Sequence, residues 1–216
     1  AAPYNEESLA LATQSGDKVF QAVVLGDLGT LYTDSSEFEK ALDNLQRARQ
    51  LDQELSNREG VARHTHNLGR VYRMQENWSE AMIHFKQALQ TAEELGLRRG
   101  ISVCLSNIGI VYWRTGFFEK AIDHYQRALA IDRALGSKEG LSNNTGNLAN
   151  VYRKMGRFEE ADRLINQALE IAQEMGHQEG VARHLKNTAD LYKDRRDWEK
   201  ALDFYDQYVT LNRKFN

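Results

Sequence analysis

A forty-residue period constrains this chain more than any other feature. HNLGRVYRMQENWSEA at 66–81 returns as SNIGIVYWRTGFFEKA at 106–121 and as GNLANVYRKMGRFEEA at 146–161. Tyr32, Tyr72, Tyr112, Tyr152 and Tyr192 mark the eleventh place of five successive units, without a slip. Three places earlier stand Gly29, Gly69, Gly109, Ala149 and Ala189. Six places after the tyrosine comes an aromatic: Phe38, Trp78, Phe118, Phe158 or Trp198. Nine places after it comes Ala41, Ala81, Ala121, Ala161 or Ala201. Leu45, Phe85, Tyr125, Ile165 and Tyr205 follow, then Ala48, Ala88, Ala128 and Ala168, with Tyr208 breaking the last column. A period of this length means stacked supersecondary units.

Each column has a physical cause. A small residue lets two helix backbones approach, and a ring or branched chain fills the space beside the approach. Within each unit the apolar places recur at three- and four-residue spacing, which predicts two amphipathic helices. Gly116 and Gly156 mark the corner between them in two copies. Ser56, Gly96, Gly136 and Gly176 close the second helix, where a left-handed cap favours glycine. A lone pair of such helices leaves its apolar faces in water, so the units must stack.

These residues resemble the tetratricopeptide repeat: small–x–x–Tyr on the first helix, then Ala, an aromatic and Ala on the second. The common unit is about 34 residues; here it is 40, and a charged or polar residue such as Glu93 replaces the usual late proline, so the second helix runs longer. Long units of this type are similar to those of Pins/LGN spindle-orientation scaffolds, kinesin light chains and many bacterial signalling proteins. The resemblance implies an all-α fold, a right-handed α-solenoid of about eleven helices. It reads as a single solenoid over 1–216: a leading helix at 1–20, then units at 22–61, 62–101, 102–141, 142–181 and 182–216. The absent initiator Met and the unaccompanied leading helix point to a segment of a longer chain. On the last helix Tyr208, Val209, Leu211 and Phe215 are expected to be uncovered, which leaves end-to-end self-association open.

On the first helix of each unit, places two, five, six, nine, twelve and thirteen fall opposite the core-facing arc. In tetratricopeptide proteins that arc lines the concave groove, so the resemblance puts partner contacts there. The three middle units hold Arg63, His66, Asn67, Arg70, Arg73 and Met74; Val103, Ser106, Asn107, Ile110, Trp113 and Arg114; and Asn143, Gly146, Asn147, Asn150, Arg153 and Lys154. The fifth adds Arg183, Lys186, Asn187 and Lys193 against Asp190 and Asp194, and the first adds Asp27 and Asp34. These thirty places carry nine basic and four acidic residues, while the whole chain carries 28 and 31. Charge is therefore sorted by face, and like charges on one wall gain nothing for folding. An acidic ligand accounts for them; a merely solvated face is the plain alternative.

The sixth place holds Asn67, Asn107, Asn147 and Asn187. Asparagine is a mediocre helix former, so its return asks for a cause. Either its amide ties neighbouring first helices together, or it pairs with the main chain of an extended peptide, being both donor and acceptor. Helices spaced by about 8–10 Å match three residues of extended chain at ~3.3 Å each. The resemblance favours the peptide, since asparagines of this kind hold peptide backbones in the Pins/LGN-like and kinesin-light-chain-like proteins. Trp113 and Ile110 would add an apolar anchor, unless Trp113 packs on a neighbouring repeat. The expected peptide-binding set is thus Arg63, Asn67, Arg70, Arg73, Asn107, Trp113, Arg114, Asn143, Asn147, Asn150, Arg153, Lys154, Arg183 and Asn187.

Other chemistries are disfavoured. A net charge of −3 argues against a general nucleic-acid surface. Apolar runs are short and broken by charge, so no membrane span is expected, and the start lacks the pattern of a secretory signal. Cys104 is the only cysteine, which fits a reducing, cytoplasmic setting. His64 and His66 point to different faces of a helix and chelate poorly, so no metal or other cofactor is expected. No glycine-rich phosphate loop or local catalytic signature is present, and the chain is read as non-catalytic. The expected work is a scaffold for an acidic linear segment of a partner protein. The alternatives are a sensor module of a bacterial signalling or transcription protein, or a self-assembly module.

Overall fold

The computed structural model describes the backbone of residues 2–215 and the side chains of residues 7–214. The fold is an all-α solenoid of antiparallel helix pairs, and no strand occurs among the described residues. The chain gathers into two compact units, Ala1–Val111 and Tyr112–Asn216. The first contains α1 (Ala2–Ser15), α2 (Lys18–Asp34), α3 (Phe38–Glu54), α4 (Arg58–Met74), α5 (Trp78–Glu94) and α6 (Arg98–Arg114) as far as Val111. The second contains the end of α6, then α7 (Phe118–Leu135), α8 (Lys138–Lys154), α9 (Phe158–Glu174), α10 (Gln178–Asp194) and α11 (Trp198–Phe215). The leading helix ends earlier than its expected bound of 20, because Gly16 turns the chain and the Asp17 carboxylate caps α2 by accepting from Phe20 N at 3.0 Å.

The forty-residue period is two twenty-residue halves. Residues 16, 36, 56, 76, 96, 116, 136, 156, 176 and 196 all have positive φ, between 57° and 84°. Each follows a helix end and reverses the chain through a left-handed residue. Six of the ten are glycine; Ser36, Ser56, Glu76 and Arg196 adopt the same conformation against their Cβ. N-terminal caps recur too: Asn57, Asn77 and Ser137 accept from the backbone N–H three residues on, at 3.2–3.3 Å.

The repeated columns form the interior. Ala41, Ala81, Ala121 and Ala161 are fully buried, as are Leu45, Phe85, Tyr125 and Ile165. A Cβ on Gly69 would lie 2.7 Å from the Phe85 ring, so the small column is what admits the large one. The place-eleven tyrosines pack on the second helix of their own repeat: Tyr72 stacks on His84 at 5.2 Å and Tyr192 on Phe204 at 5.7 Å, while Tyr112 meets His124 tilted at 5.1 Å. Cys104 is buried, and burial pushes its thiol up to about 12. On the last helix, Tyr208 and Leu211 are better covered than expected, because their side of α11 faces a cluster of Ala172, Val181 and Leu185. Val209 is exposed, and the Phe215 side chain lies outside the described residues.

Candidate functional site

The outward face of the first helices is built differently in the two units. In the first, one hydrogen-bond string crosses α2, α4 and α6. Thr30 Oγ1 donates to the Gly26 carbonyl at 3.1 Å and accepts from Asn67 Nδ2 at 3.5 Å. Asn67 Oδ1 faces His66 Nδ1 at 3.4 Å, and His66 Nε2 faces Asn107 Nδ2 at 3.1 Å. Asn107 Nδ2 also donates to the Val103 carbonyl at 3.0 Å. Nε2 can accept from an amide only when it carries no proton, which fixes the neutral Nδ1–H tautomer. Burial holds His66 in that form, with its pKa down at about 4. Asn67 and Asn107 therefore tie neighbouring helices together.

Below the string, Val23, Gly26, Asp27, Thr30, Arg63, His64 and Asn67 line a hollow between α2 and α4. Arg63 stands exposed on its rim. Arg70 is half-buried and bridges to Asp34 at 3.2 Å, and Arg73 is half-buried further along α4. Not all six expected places face outward. Gly26, Gly146 and Thr33 are buried, because places five and twelve lie on the flank where first helices meet.

In the second unit three asparagines of this face are unbonded. Asn147, Asn150 and Asn187 are half-buried, and none forms a side-chain hydrogen bond with the described residues. The Asn150 Oδ1 is sealed from water as well. Asn143 Oδ1 accepts from Arg183, whose guanidinium burial moves toward losing its proton more easily. Arg153 is nearly buried and held by Asp194 at 2.6 Å, with a longer contact to the Asp190 carbonyl at 3.5 Å. Asp190 itself accepts from Tyr205 at 2.5 Å and from Lys193 at 2.9 Å; burial pushes its pKa up, but these bonds and the Arg153 and Lys193 charges together bring it below the usual carboxylate value. Lys154 and Lys186 are exposed and form no ion pair with the described residues. Trp113 is half-buried, with the Arg114 guanidinium over its ring at 5.8 Å. Three of the four acidic residues on the face are thus committed to three of its bases, leaving the remaining charge almost wholly positive.

Sequence reasoning missed a set of buried polar pairs where a second helix meets the next first helix. Two columns meet there: Asp52, Ala92, Asp132 and Ala172 against His64, Cys104, Asn144 and His184. Asn144 donates to Asp132 Oδ2 at 2.7 Å. His64 Nε2 lies 3.1 Å from Asp52 Oδ2, off the line a hydrogen bond requires, so both ring nitrogens lack a hydrogen-bond partner. Burial, then the Arg63 charge, keep His64 below the ordinary imidazole value despite the carboxylate beside it. Both histidines need room that only glycine leaves: a Cβ on Gly146 would sit 2.5 Å from His184 Cε1, and one on Gly26 would collide with the His64 ring. The signal was in the sequence, as glycine at place five only where histidine stands thirty-eight residues on.

Ser142 and His184 form a buried serine–histidine contact at 2.9 Å. Ser142 Oγ donates to the Ala168 carbonyl at 2.9 Å, so the hydroxyl accepts from His184 Nε2–H. A histidine that is donating cannot also take the serine proton, and both residues are sealed from solvent. The pair is structural. No three His, Cys, Asp or Glu side chains group to hold a metal among the described residues, and no described helix is long and apolar enough to cross a membrane.

The sequence profile of the tetratricopeptide repeat matches this chain at residues 34–94, 60–134, 100–174 and 139–214. The chain belongs to the tetratricopeptide-repeat family. Comparison with curated proteins finds no match. Among solved structures, the chain is similar to BtubC (BKLC) from P. vanneervenii, with a TM-score of 0.80 at 19% identity over 99% of this chain and 90% of that one. The nearly identical repeats of a Podosopora anserina kinesin light chain give a TM-score of 0.67 at 16% identity over 88% and 94%. The Rap conjugation gene regulator of plasmid pLS20, in complex with the Phr* peptide, gives 0.71 at 16% over 96% and 72%. At these identities the likeness is one of fold.

Proposed function

We propose that this protein is a non-catalytic interaction module whose first-helix face binds an extended, acidic segment of a partner protein. One observation carries the reading: Asn147 and Asn187 stand forty residues apart on neighbouring helices α8 and α10, half-buried, with unused amides and unpaired lysines beside them. Two such amides can each exchange a donor and an acceptor with a peptide main chain about three residues apart. Lys154, Lys186 and Arg183 would meet its carboxylates. Arg153 serves mainly to hold α10, since Asp194 already neutralises it. In the first unit the available basic contact is Arg63 at the rim of the hollow. Likeness to a Rap regulator complexed with a peptide supports a fold of this kind as a peptide holder. The protein itself, with no membrane span among its described helices, is read as acting in the cytoplasm.

Binding is expected in the micromolar class, because ordering a flexible segment offsets part of the contact energy, and it should weaken as salt is raised. The test is fluorescence anisotropy with labelled Asp/Glu-rich and Lys/Arg-rich twelve-residue peptide pools, on wild type and on Asn147→Ala/Asn187→Ala. The acidic pool should bind at least tenfold tighter than the basic pool, and the double variant should lose most of that. Equal binding of the two pools, or an unaffected double variant, would end the proposal.

A further inference from the structure

The hollow between α2 and α4 holds an acid and a base that do not meet. Asp27 and Arg63, both exposed, stand thirty-six residues apart and form no ion pair with any described residue. Asp34 and Arg70 have the same separation on the same two helices, two turns further on, and bridge at 3.2 Å. Registry therefore permits the first pair, and the hollow between its members keeps them apart. Its volume is about 280 Å³, just under the range of roughly 300–1,000 Å³ that suits drug-sized ligands. Its walls, α2 and α4, are both backed by α3, so the hollow belongs wholly to the first unit.

Place five carries no side chain at Gly26, and the His64 ring occupies the room a Cβ would need. His64 is 1% exposed, lines the hollow, and has no hydrogen-bond partner on either ring nitrogen. A buried polar ring left without a partner points to a group that supplies one. Thr30 and Asn67 fix another part of the wall through their mutual bond, and Asn67 Nδ2 keeps a second hydrogen beyond the one given to Thr30. The same constellation returns 120 residues on, as Gly146, Arg183, His184 and Asn187. There Asn143 takes the place of Val23, and its Oδ1 accepts from Arg183. The second unit satisfies its arginine with an amide oxygen of its own, whereas Val23 offers Arg63 no acceptor.

Opposite charges on opposite walls select a ligand that carries both. We infer that the hollow binds a free α-amino acid as its zwitterion. The ammonium donates to Asp27 on α2, over a floor where the Asp52 carboxylate stands behind the His64 ring. The carboxylate accepts from Arg63 and from the remaining Asn67 hydrogen, both on α4, a charge-assisted pairing that guanidinium groups favour. An apolar side chain lies against Val23. A simple carboxylate is repelled by Asp27 and a simple amine by Arg63, so neither is held alone. The site is separate from Asn147 and Asn187 and does not rest on the acidic-segment reading. Two exposed ion pairs and few ligand atoms place the affinity near ~1 mM.

Histidine-ring NMR on the full chain reads occupancy, with L-valine, L-leucine or L-methionine added to about 20 mM, well above the affinity expected. At least one of them should shift the His64 signals and leave those of His124 on α7 in place. The N-acetyl and the amide derivatives of that amino acid should each bind at least about tenfold more weakly, each having lost one charge. Asp27→Asn and Arg63→Gln should weaken the parent amino acid by a similar factor. Val23→Asn, at a site already 43% exposed, copies Asn143 and should draw Arg63 across the hollow as Asn143 draws Arg183. It should lower affinity at least about tenfold while the denaturation midpoint stays put. Silence of His64 toward all three amino acids overturns the inference. So does a blocked derivative that binds as tightly as its parent, or a Val23→Asn protein that binds like wild type.

Discussion

Between Gly26 and Asn107 the first unit ties the amides of Asn67 and Asn107 into a single string; in the second, the amides of Asn147, Asn150 and Asn187 form no side-chain hydrogen bond with the described residues. The two stretches occupy the same repeat places, and the bridge itself depends on place five. There the first unit has Gly26, His66 and Ser106, of which the His66 ring bridges two asparagines, and the second has Gly146 and Lys186, neither of which bridges a pair. Repeating a column of asparagines does not by itself give a ligand site. A neighbouring side chain decides whether those amides serve the fold or remain for a partner.

Four experiments would break or sharpen this contrast, beginning with the largest effect. Acid should destabilise both units through their buried histidines. His66 and His184 have pKa values near 4 in the folded protein, against about 6.5 when unfolded. Between those values the unfolded chain binds more protons, so stability is full above pH 6.5 and falls as pH drops toward 4, by roughly 3 kcal/mol for each histidine. Denaturant melts from pH 7 to 4 measure the loss. Imidazole NMR signals of His66 or His184 titrating near 6.5 would contradict it. In His66→Gln, part of the slope should vanish.

Next come the buried pairs. Asp132→Ala should cost about 3 kcal/mol by stranding Asn144 in the interior. Asp132→Ala/Asn144→Cys copies the Ala92 and Cys104 that fill the same columns one repeat earlier, and should recover most of the loss. A double variant no better than the single would mean that the columns are not interchangeable between units.

A smaller effect belongs to the turns. The first unit places Ser36, Ser56 and Glu76 at left-handed positions, while the second uses glycine at four of its five. Glu76→Gly should stabilise by up to about 1 kcal/mol, and Gly156→Ala should destabilise by about 1 kcal/mol. The denaturation midpoint reports both, and a Glu76→Gly variant less stable than wild type would count against the backbone account. Smallest is the exposed bridge from Lys138 to Glu174 at 2.9 Å, the partner in register to Lys18–Glu54 in the first unit. Lys138→Ala should leave the midpoint within experimental scatter, as exposed ion pairs contribute little.

The helices, their pairing and their closures were legible because the columns repeat: Ala81 beside Phe85, or Gly136 at a left-handed turn, states its role locally and five times over. The wall was only partly legible. A helical wheel places Arg63, Arg70 and Arg153 on one arc, but it cannot see that Asp34 and Asp194, on neighbouring helices, reach two of them. Nor does it know how wide a flank the next helix covers, which is why Thr33 and Gly146 lie inside. The His64–Asp52 and His184–Ser142 contacts escaped because each joins places that are polar in some copies and apolar in others, so the column average conceals them.

A left-handed residue every twenty positions leaves the chain no slack segment in which to absorb a length change. Deleting or gaining one residue inside a helix would turn every later side chain of that helix by about 100° about its axis. Copying a stretch of forty alters nothing local, whatever its starting point. Such a molecule grows or shrinks in whole steps, and its natural length variants should differ by multiples of forty.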